Sequence, residues 1–270
     1  MEAQRFWEIC ADAIGRKIDS DRFNTGGLNL VSHFIDCNCL TTSRPGGGPA
    51  EDGENAARWR HEIQKAMYNG WKSVHGLKHQ SVDNAYGMTE DLFGPTTLRR
   101  NDLYLLYKSD INERFRELQE GDIDQFVMFG DSAYKLRSHS RSYYHANEGV
   151  PNYRGWNSGY KHVRISIEWS YGVTASSFKY LAKHDKLKLL SSNYISKVYT
   201  VGILFRNFKI AIEGGQSYKY FGLTLPDYML ERYITHVETY TSAISEYHLQ
   251  ECEGNVSDRK QASNDRLVRR

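Results

Sequence analysis

Three acidic residues stand where a charge is costly. Asp36 follows His33-Phe34-Ile35 in a strand that is otherwise apolar. Asp131 follows Val127-Met128-Phe129-Gly130 in the same way. Glu168 lies in Val163-Arg164-Ile165-Ser166-Ile167-Glu168-Trp169, at the start of a helical pattern. An ionised carboxylate beside a buried strand is expensive unless it is paired or holds a metal. For one acid alone, an N-cap or turn role is the stronger reading. Several acids sharing this context shift the balance toward a common site. Three hard oxygen donors suit Mg²⁺ or Mn²⁺. Two such ions, about 3.5–4 Å apart, can clamp the attacking and leaving oxygens of a phosphodiester.

The elements needed to position these acids can be read from hydrophobic period. Met1–Lys17 has Phe6, Cys10, Ala13 and Ile14 on one helical stripe. Leu28–Leu40 alternates but has no fully polar face, which predicts a central strand covered on both sides. Arg44-Pro45-Gly46-Gly47-Gly48-Pro49 and the polar residues to Glu54 predict a flexible loop. Trp71–Val82 is a second strand, closed by a turn at Asp83–Gly87. Asp102–Leu118 reads as one helix, and Phe126–Phe129 as a short buried strand. Ile165–Leu181 and Tyr194–Ile212 read as helices. Strands interleaved with helices predict an α/β domain.

The chain has 270 residues, with 35 basic and 33 acidic side chains. Its mean hydropathy is −0.65, and no stretch approaches the ~18 consecutive apolar residues of a membrane span. The start of the chain lacks the apolar region of a secretory signal. Cys10, Cys37, Cys39 and Cys252 form no C-x-x-C pair, which excludes a zinc ribbon; free thiols in a reducing compartment are expected. Charge is unevenly spread. Residues 81–131 hold eleven acids and five bases, whereas 132–209 hold thirteen bases and three acids. That second stretch is also rich in Tyr and Trp. Such a surface suits a phosphate backbone with stacked bases. A solvated lysine face over a tyrosine core explains the composition equally well.

Five blocks, in order, resemble the Harbinger-type (PIF/Harbinger) DDE superfamily of transposases and transposase-derived nucleases. They are Ile35-Asp36-Cys37; Tyr68-Asn69-Gly70-Trp71-Lys72-Ser73-Val74-His75-Gly76; Gly94-Pro95 followed by Asn101-Asp102; Gly130-Asp131-Ser132-Ala133-Tyr134; and Arg164-Ile165-Ser166-Ile167-Glu168-Trp169-Ser170-Tyr171-Gly172. The likeness spans roughly residues 28 to 210, and the spacing of 37 positions from Asp131 to Glu168 resembles the family's interval. It implies an RNase H-like fold with a mixed central sheet flanked by helices. It implies Asp36, Asp131 and Glu168 as the catalytic triad, with Asp102 as a further metal-side acid. Two Mg²⁺ or Mn²⁺ ions, a DNA substrate and a separate Myb-like DNA-binding partner protein follow from the same resemblance; a homodimer and a nuclear and cytoplasmic, not secreted, location are expected beside them.

There are departures from the pattern. Asn101 and Leu103 replace the His and Ser that flank the family's acid, and Ala133 stands where Gly is usual. The Gly-rich stretch at 46–60 is longer than the family's. Only 35 residues precede Asp36, where the family carries a helical DNA-binding region. The expectation is therefore a fragment, or the product of a decayed or repurposed element. On this reading, 1–27 is a helical remnant, 28–212 the catalytic domain, 213–250 a helical extension and 251–270 a disordered tail.

The remaining features are weighed residue by residue. Lys72, His75 and Lys78 run along the second strand, as phosphate contacts or as a solvated face. Lys135, Arg137, Arg141, Arg154, Lys161, Arg164, Lys179 and Lys183 are candidates to hold the DNA backbone. His139, His145 and His162 read as solvent-exposed. Leu204-Phe205-Arg206-Asn207-Phe208 resembles the family's closing helix and reads as core packing. The expected reaction is metal-assisted, in-line attack of water on a phosphodiester that leaves a 3′-hydroxyl, which could then attack target DNA. Two rivals stand beside it: a catalytically silent, domesticated DNA-binding or scaffolding protein, and an unrelated small-substrate phosphohydrolase.

Overall fold

The computed structural model describes residues 2–20, 31–46, 53–119, 126–134, 139–182, 187 and 194–235. Its organising element is β1 (Val31–Thr42), whose residues Val31 to Ile35 are all buried. A strand with no wet face needs neighbours at both edges and cover on both sides. At one edge, β3 (Val74–Asn84) runs antiparallel, with Asp36 opposite Ser81. Beyond it, β4 (Thr89–Thr97) is antiparallel to β3. The two-residue β2 (Tyr68–Asn69) pairs with the start of β3. At the other edge of β1, β5 (Val127–Phe129) runs parallel, and β6 (Ser140–Arg141) lies parallel to β5. The mixed sheet thus has the order β4-β3-β1-β5-β6, with β2 continuing the β4 edge.

Aromatic packing covers both sides. His33 of β1 meets Trp7 of α1 (Glu2–Ser20) and Phe115 of α4 (Ile111–Glu117), at centroid distances of 5.1 and 5.3 Å. Trp7 and Phe115 themselves stack at 4.5 Å. Phe129 of β5 packs on Trp156 and Tyr160 of α5 (Tyr153–Ser177), and Phe34 stacks on Phe221. A second cluster gathers Leu40 with Leu181, Leu187, Ile195, Tyr199 and Ile203, the last three from α6 (Tyr194–Glu213). The stripe predicted for α1 is buried as expected. α1 belongs to the same compact unit, residues 1–225, as the sheet. Residues 226–270 form a second unit, in which Met229 N–H donates to Pro226 O and Arg232 N–H to Tyr228 O. No helix among the described residues is long and apolar enough to cross a membrane.

Several expectations are corrected. The single helix at 102–118 is two, α3 (Asp102–Lys108) and α4, because Asp110 takes a left-handed conformation between them. The helix expected from Ile165 begins twelve residues earlier, at Tyr153. Trp71 is in a turn, and the strand begins at Val74. Gly53 and Glu54, expected in the loop, belong to α2 (Gly53–Met67), and residues 47–52 lie outside the described residues. The residues Leu28–Leu30 and the tail 251–270 lie outside the described residues.

The 204–208 segment is inverted relative to its expectation. Phe205 is 60% exposed and Phe208 is also exposed, whereas Arg206 is 3% exposed and Asn207 is buried. Arg206 donates to Ser170 O and Thr174 Oγ1 of α5 at 3.0 Å each, to Asn207 Oδ1 at 3.1 Å, and to Thr89 Oγ1. Thr89 in turn donates to Asp83 Oδ1 at 2.7 Å. Asn207 exchanges two bonds with the Thr89 backbone. Hydrogen bonds from Arg206 and Asn207, added to the apolar cluster of Ile195, Tyr199 and Ile203, fasten α6 to α5 and the β3–β4 hairpin.

Candidate functional site

Strand register brings the first two acids together. Phe34 of β1 and Phe129 of β5 are partners in parallel strands. Side chains alternate along a strand, so positions two residues on keep the same face. Asp36 and Asp131 therefore emerge at the same end of neighbouring strands. The chain leaves β5 in a tight turn: Tyr134 N–H donates to Asp131 O at 3.0 Å, and Ala133 N–H to Asp131 Oδ1 at 2.8 Å. Gly130 permits it, because a Cβ there would run into the Tyr134 ring. Cys37 N–H donates to Asp36 Oδ1 at 2.8 Å, and the Cys37 thiol lies 3.2 Å from the Tyr134 hydroxyl.

Asp102 arrives on the first residue of α3. The helix is capped by Asn101, whose side-chain oxygen accepts from Tyr104 N–H at 2.9 Å. This gives a physical role to a residue that departs from the family pattern. Glu168 arrives on α5, one turn beyond Arg164. All four acids line one open cavity of about 700 Å³. Its other walls include Tyr68, Trp71, Lys72, Lys78, Arg99 and Arg100.

Two cations are built into the acidic wall. Arg164 donates to Asp36 Oδ2 at 3.0 Å and to Glu168 Oε1 at 2.8 Å. Lys78 donates to Asp102 Oδ1 and to Arg100 O, both at 2.7 Å. Burial opposes the Lys78 charge, but the Asp102 hydrogen bond and carboxylate hold its pKa above the ordinary lysine value. Asp36 is not fully compensated. Burial pushes its pKa up to about 6, Arg164 and the Cys37 N–H pull it down, and the charges of Asp131 and Asp102 add to the rise. Asp36 thus feels the charges of both Asp131 and Asp102.

The four carboxylates that line the cavity are hard oxygen donors of the kind a divalent cation takes. As the side chains stand, Asp36 and Glu168 turn to the Arg164 guanidinium. Among the described residues, no three of His, Cys, Asp and Glu are grouped so as to hold a metal ion. Asp36, Asp102, Asp131 and Glu168 are the residues that would hold one, in competition with Arg164.

Titration near the site has a testable signature. The folded pKa of Asp36 is raised from 3.8 to about 6. Between those values the folded state binds the extra proton, so this group's contribution falls as pH rises. His79 is buried beside Ser196 Oγ, at 2.9 Å, and burial lowers its pKa from 6.5 to about 4. Between those values the unfolded state binds the extra proton, so stability rises with pH. Each contribution is on the order of 3 kcal/mol, with opposite sign. Relative to wild type, Asp36→Asn should gain stability as pH rises from 4 to 6. His79→Gln should lose relative stability as pH rises from 4 to 6.5. Urea unfolding at pH 4, 5 and 6.5 measures both; parallel pH profiles in all three proteins would refute these assignments.

The other candidates scatter. Lys72 sits in the turn before β3 and lines the cavity, whereas Lys78 is buried and committed to Asp102. A spacing of three puts His75 and Lys78 on opposite faces of β3, so the three do not form one row. Arg154 and Lys161 are exposed on α5 and line a separate shallow recess with Tyr143. Arg141 is half-buried, with its guanidinium 3.4 Å from Tyr144 Oη, and Lys179 is exposed. Lys135, Arg137 and Lys183 lie outside the described residues. His145 and His162 are exposed, but His139 is buried. Sequence reasoning missed Arg99 and Arg100, both exposed at the cavity. An Arg pair directly before Asn101-Asp102 was the available signal. In comparisons with protein-family models, curated proteins and solved structures, nothing matches the chain.

Proposed function

We propose that this chain is a metal-dependent DDE endonuclease or transposase of the Harbinger type, cutting DNA phosphodiesters at the Asp36–Asp102–Asp131–Glu168 cavity. The observation that carries the reading is convergence: acids from two strand ends, a short helix and a long helix line one cavity. The sheet order supports an RNase H-like fold, with three antiparallel strands followed by two parallel additions. Exposed Lys72, Arg99 and Arg100 at the rim suit a phosphate backbone.

Asp36, Asp102, Asp131 and Glu168 would hold a divalent ion, which when bound would supply a nucleophilic water near neutral pH and offset negative charge on the phosphodiester. The chain's own residues do the positioning. Cys37 N–H and Ala133 N–H fix one oxygen each of Asp36 and Asp131. Lys78 orients Asp102, while Arg164 holds Asp36 and Glu168 until a cation takes its place. No protein nucleophile is required.

A second reading is favoured by one observation, the Arg164 bridge between Asp36 and Glu168. In a silent, domesticated DNA-binding protein, that bridge would satisfy the acids permanently. Nicking of supercoiled plasmid in Mg²⁺ or Mn²⁺, against EDTA, tests the first reading. Metal-dependent nicking supports it. DNA binding without nicking in either metal favours the second.

A further inference from the structure

Trp71 is 95% exposed. Tryptophan is normally buried over most of its area, and its exposure at a fixed point calls for a partner. The turn that carries it is ordered by several bonds. Tyr68 pairs with His75 and Asn69 with Val74. Asn69 Oδ1 accepts from Lys72 N–H at 2.9 Å, and Ser73 takes a left-handed conformation at φ 55°. The indole is therefore presented from a pinned hairpin tip. Tyr68 is also exposed, with its ring 5.0 Å from that of His75.

The same hairpin forms a wall of the acidic cavity: Tyr68, Asn69, Gly70, Trp71 and Lys72 line it together with Asp36, Asp102, Asp131 and Glu168. Arg99 and Arg100 line it as well. An aromatic face with a lysine beside it, at the edge of a cavity suited to a phosphodiester, matches a nucleotide taken out of its stack. Aromatic side chains bind bases by stacking without reading their sequence.

Resting on the nuclease reading of this cavity, we infer that the 68–73 hairpin is a base-stacking arm, in which Trp71 covers an unstacked nucleobase of single-stranded or locally opened DNA. Substrates with an unpaired base at the cut site are then preferred over uniform duplex.

Binding of a labelled single-stranded oligonucleotide and of a uniform duplex, at low salt in EDTA, tests this without catalysis. The full chain is compared with Trp71→Ala and Trp71→Tyr. Trp71→Ala should weaken single-strand binding about 10-fold, in line with the loss of one stacked base. Duplex affinity should stay within about twofold, since phosphate contacts dominate it. Trp71→Tyr should recover most of the loss. A fluorescent adenine analogue in the strand should be quenched by wild type and Trp71→Tyr, and less by Trp71→Ala. Unchanged single-strand binding by Trp71→Ala would overturn the stacking arm alone, as would an equal loss on both DNAs. Absence of binding to either DNA by wild type would overturn both this inference and the nuclease reading.

Discussion

Asp131→Asn should lower metal-dependent DNA cleavage by about 100-fold or more, because on the proposed nuclease reading it removes a charged donor from the cation that would stabilise the transition state. The fold should survive. Asn keeps the side-chain oxygen that accepts from Ala133 N–H, so the turn after β5 remains closed. The change also removes a charge that raises the pKa of Asp36. Stability without metal should therefore be equal to wild type or higher at neutral pH. Plasmid nicking rates and urea unfolding of the same preparations provide the two readouts. Lost activity with a large loss of stability would make Asp131 a structural residue.

Arg206→Met should destabilise the protein by about 3–5 kcal/mol, with no direct effect on the cavity, because it leaves buried acceptors on Ser170, Thr174 and Thr89 without their charged donor and removes a positive charge that offsets the burial of Asp83. Met approximates the volume, so packing loss is small. The cost lies with Asp83, whose pKa burial raises and Arg206 pulls down, and with the acceptors on Ser170, Thr174 and Thr89. Without Arg206 the folded pKa of Asp83 rises further above its unfolded value. The loss should therefore be larger at pH 7 than at pH 4. Adding Asp83→Asn should recover part of it, since the retained oxygen can still accept from Thr89 Oγ1. Thermal unfolding of both variants at the two pH values checks the sign.

That network shows where reading the sequence failed. Leu204-Phe205-Arg206-Asn207-Phe208 invites burial of its apolar members, yet α5 and β4 supply polar partners and the pattern inverts. The β1 segment was legible because an alternating run with no polar face allows only a doubly covered strand, and Val31–Ile35 are all buried. The start of α5 was obscured by Gly155, Ser158 and Gly159, although Trp156, Tyr160, Val163 and Ile167 form a buried stripe. β4 was missed because Gly94-Pro95 reads as a break; edge strands tolerate proline, and among the described residues β4 pairs only with β3. Asp36 and Asp131 were visible as acids ending apolar runs. Their meeting was not visible, since it depends on the Phe34–Phe129 register. Nor was the commitment of Arg164 and Lys78 to the acids, which are far from them in sequence or on the next helical turn.

The central claim is that these acids form a cation site, and Arg164 is its competitor. A ligand that binds only the folded state raises the unfolding temperature. The most direct measurement is the melting-temperature shift of wild type and Asp131→Asn on adding Mn²⁺, which needs no turnover. The account predicts a clear rise for wild type and a much smaller one for Asp131→Asn. Equal shifts in the two proteins, or none in wild type, would contradict it.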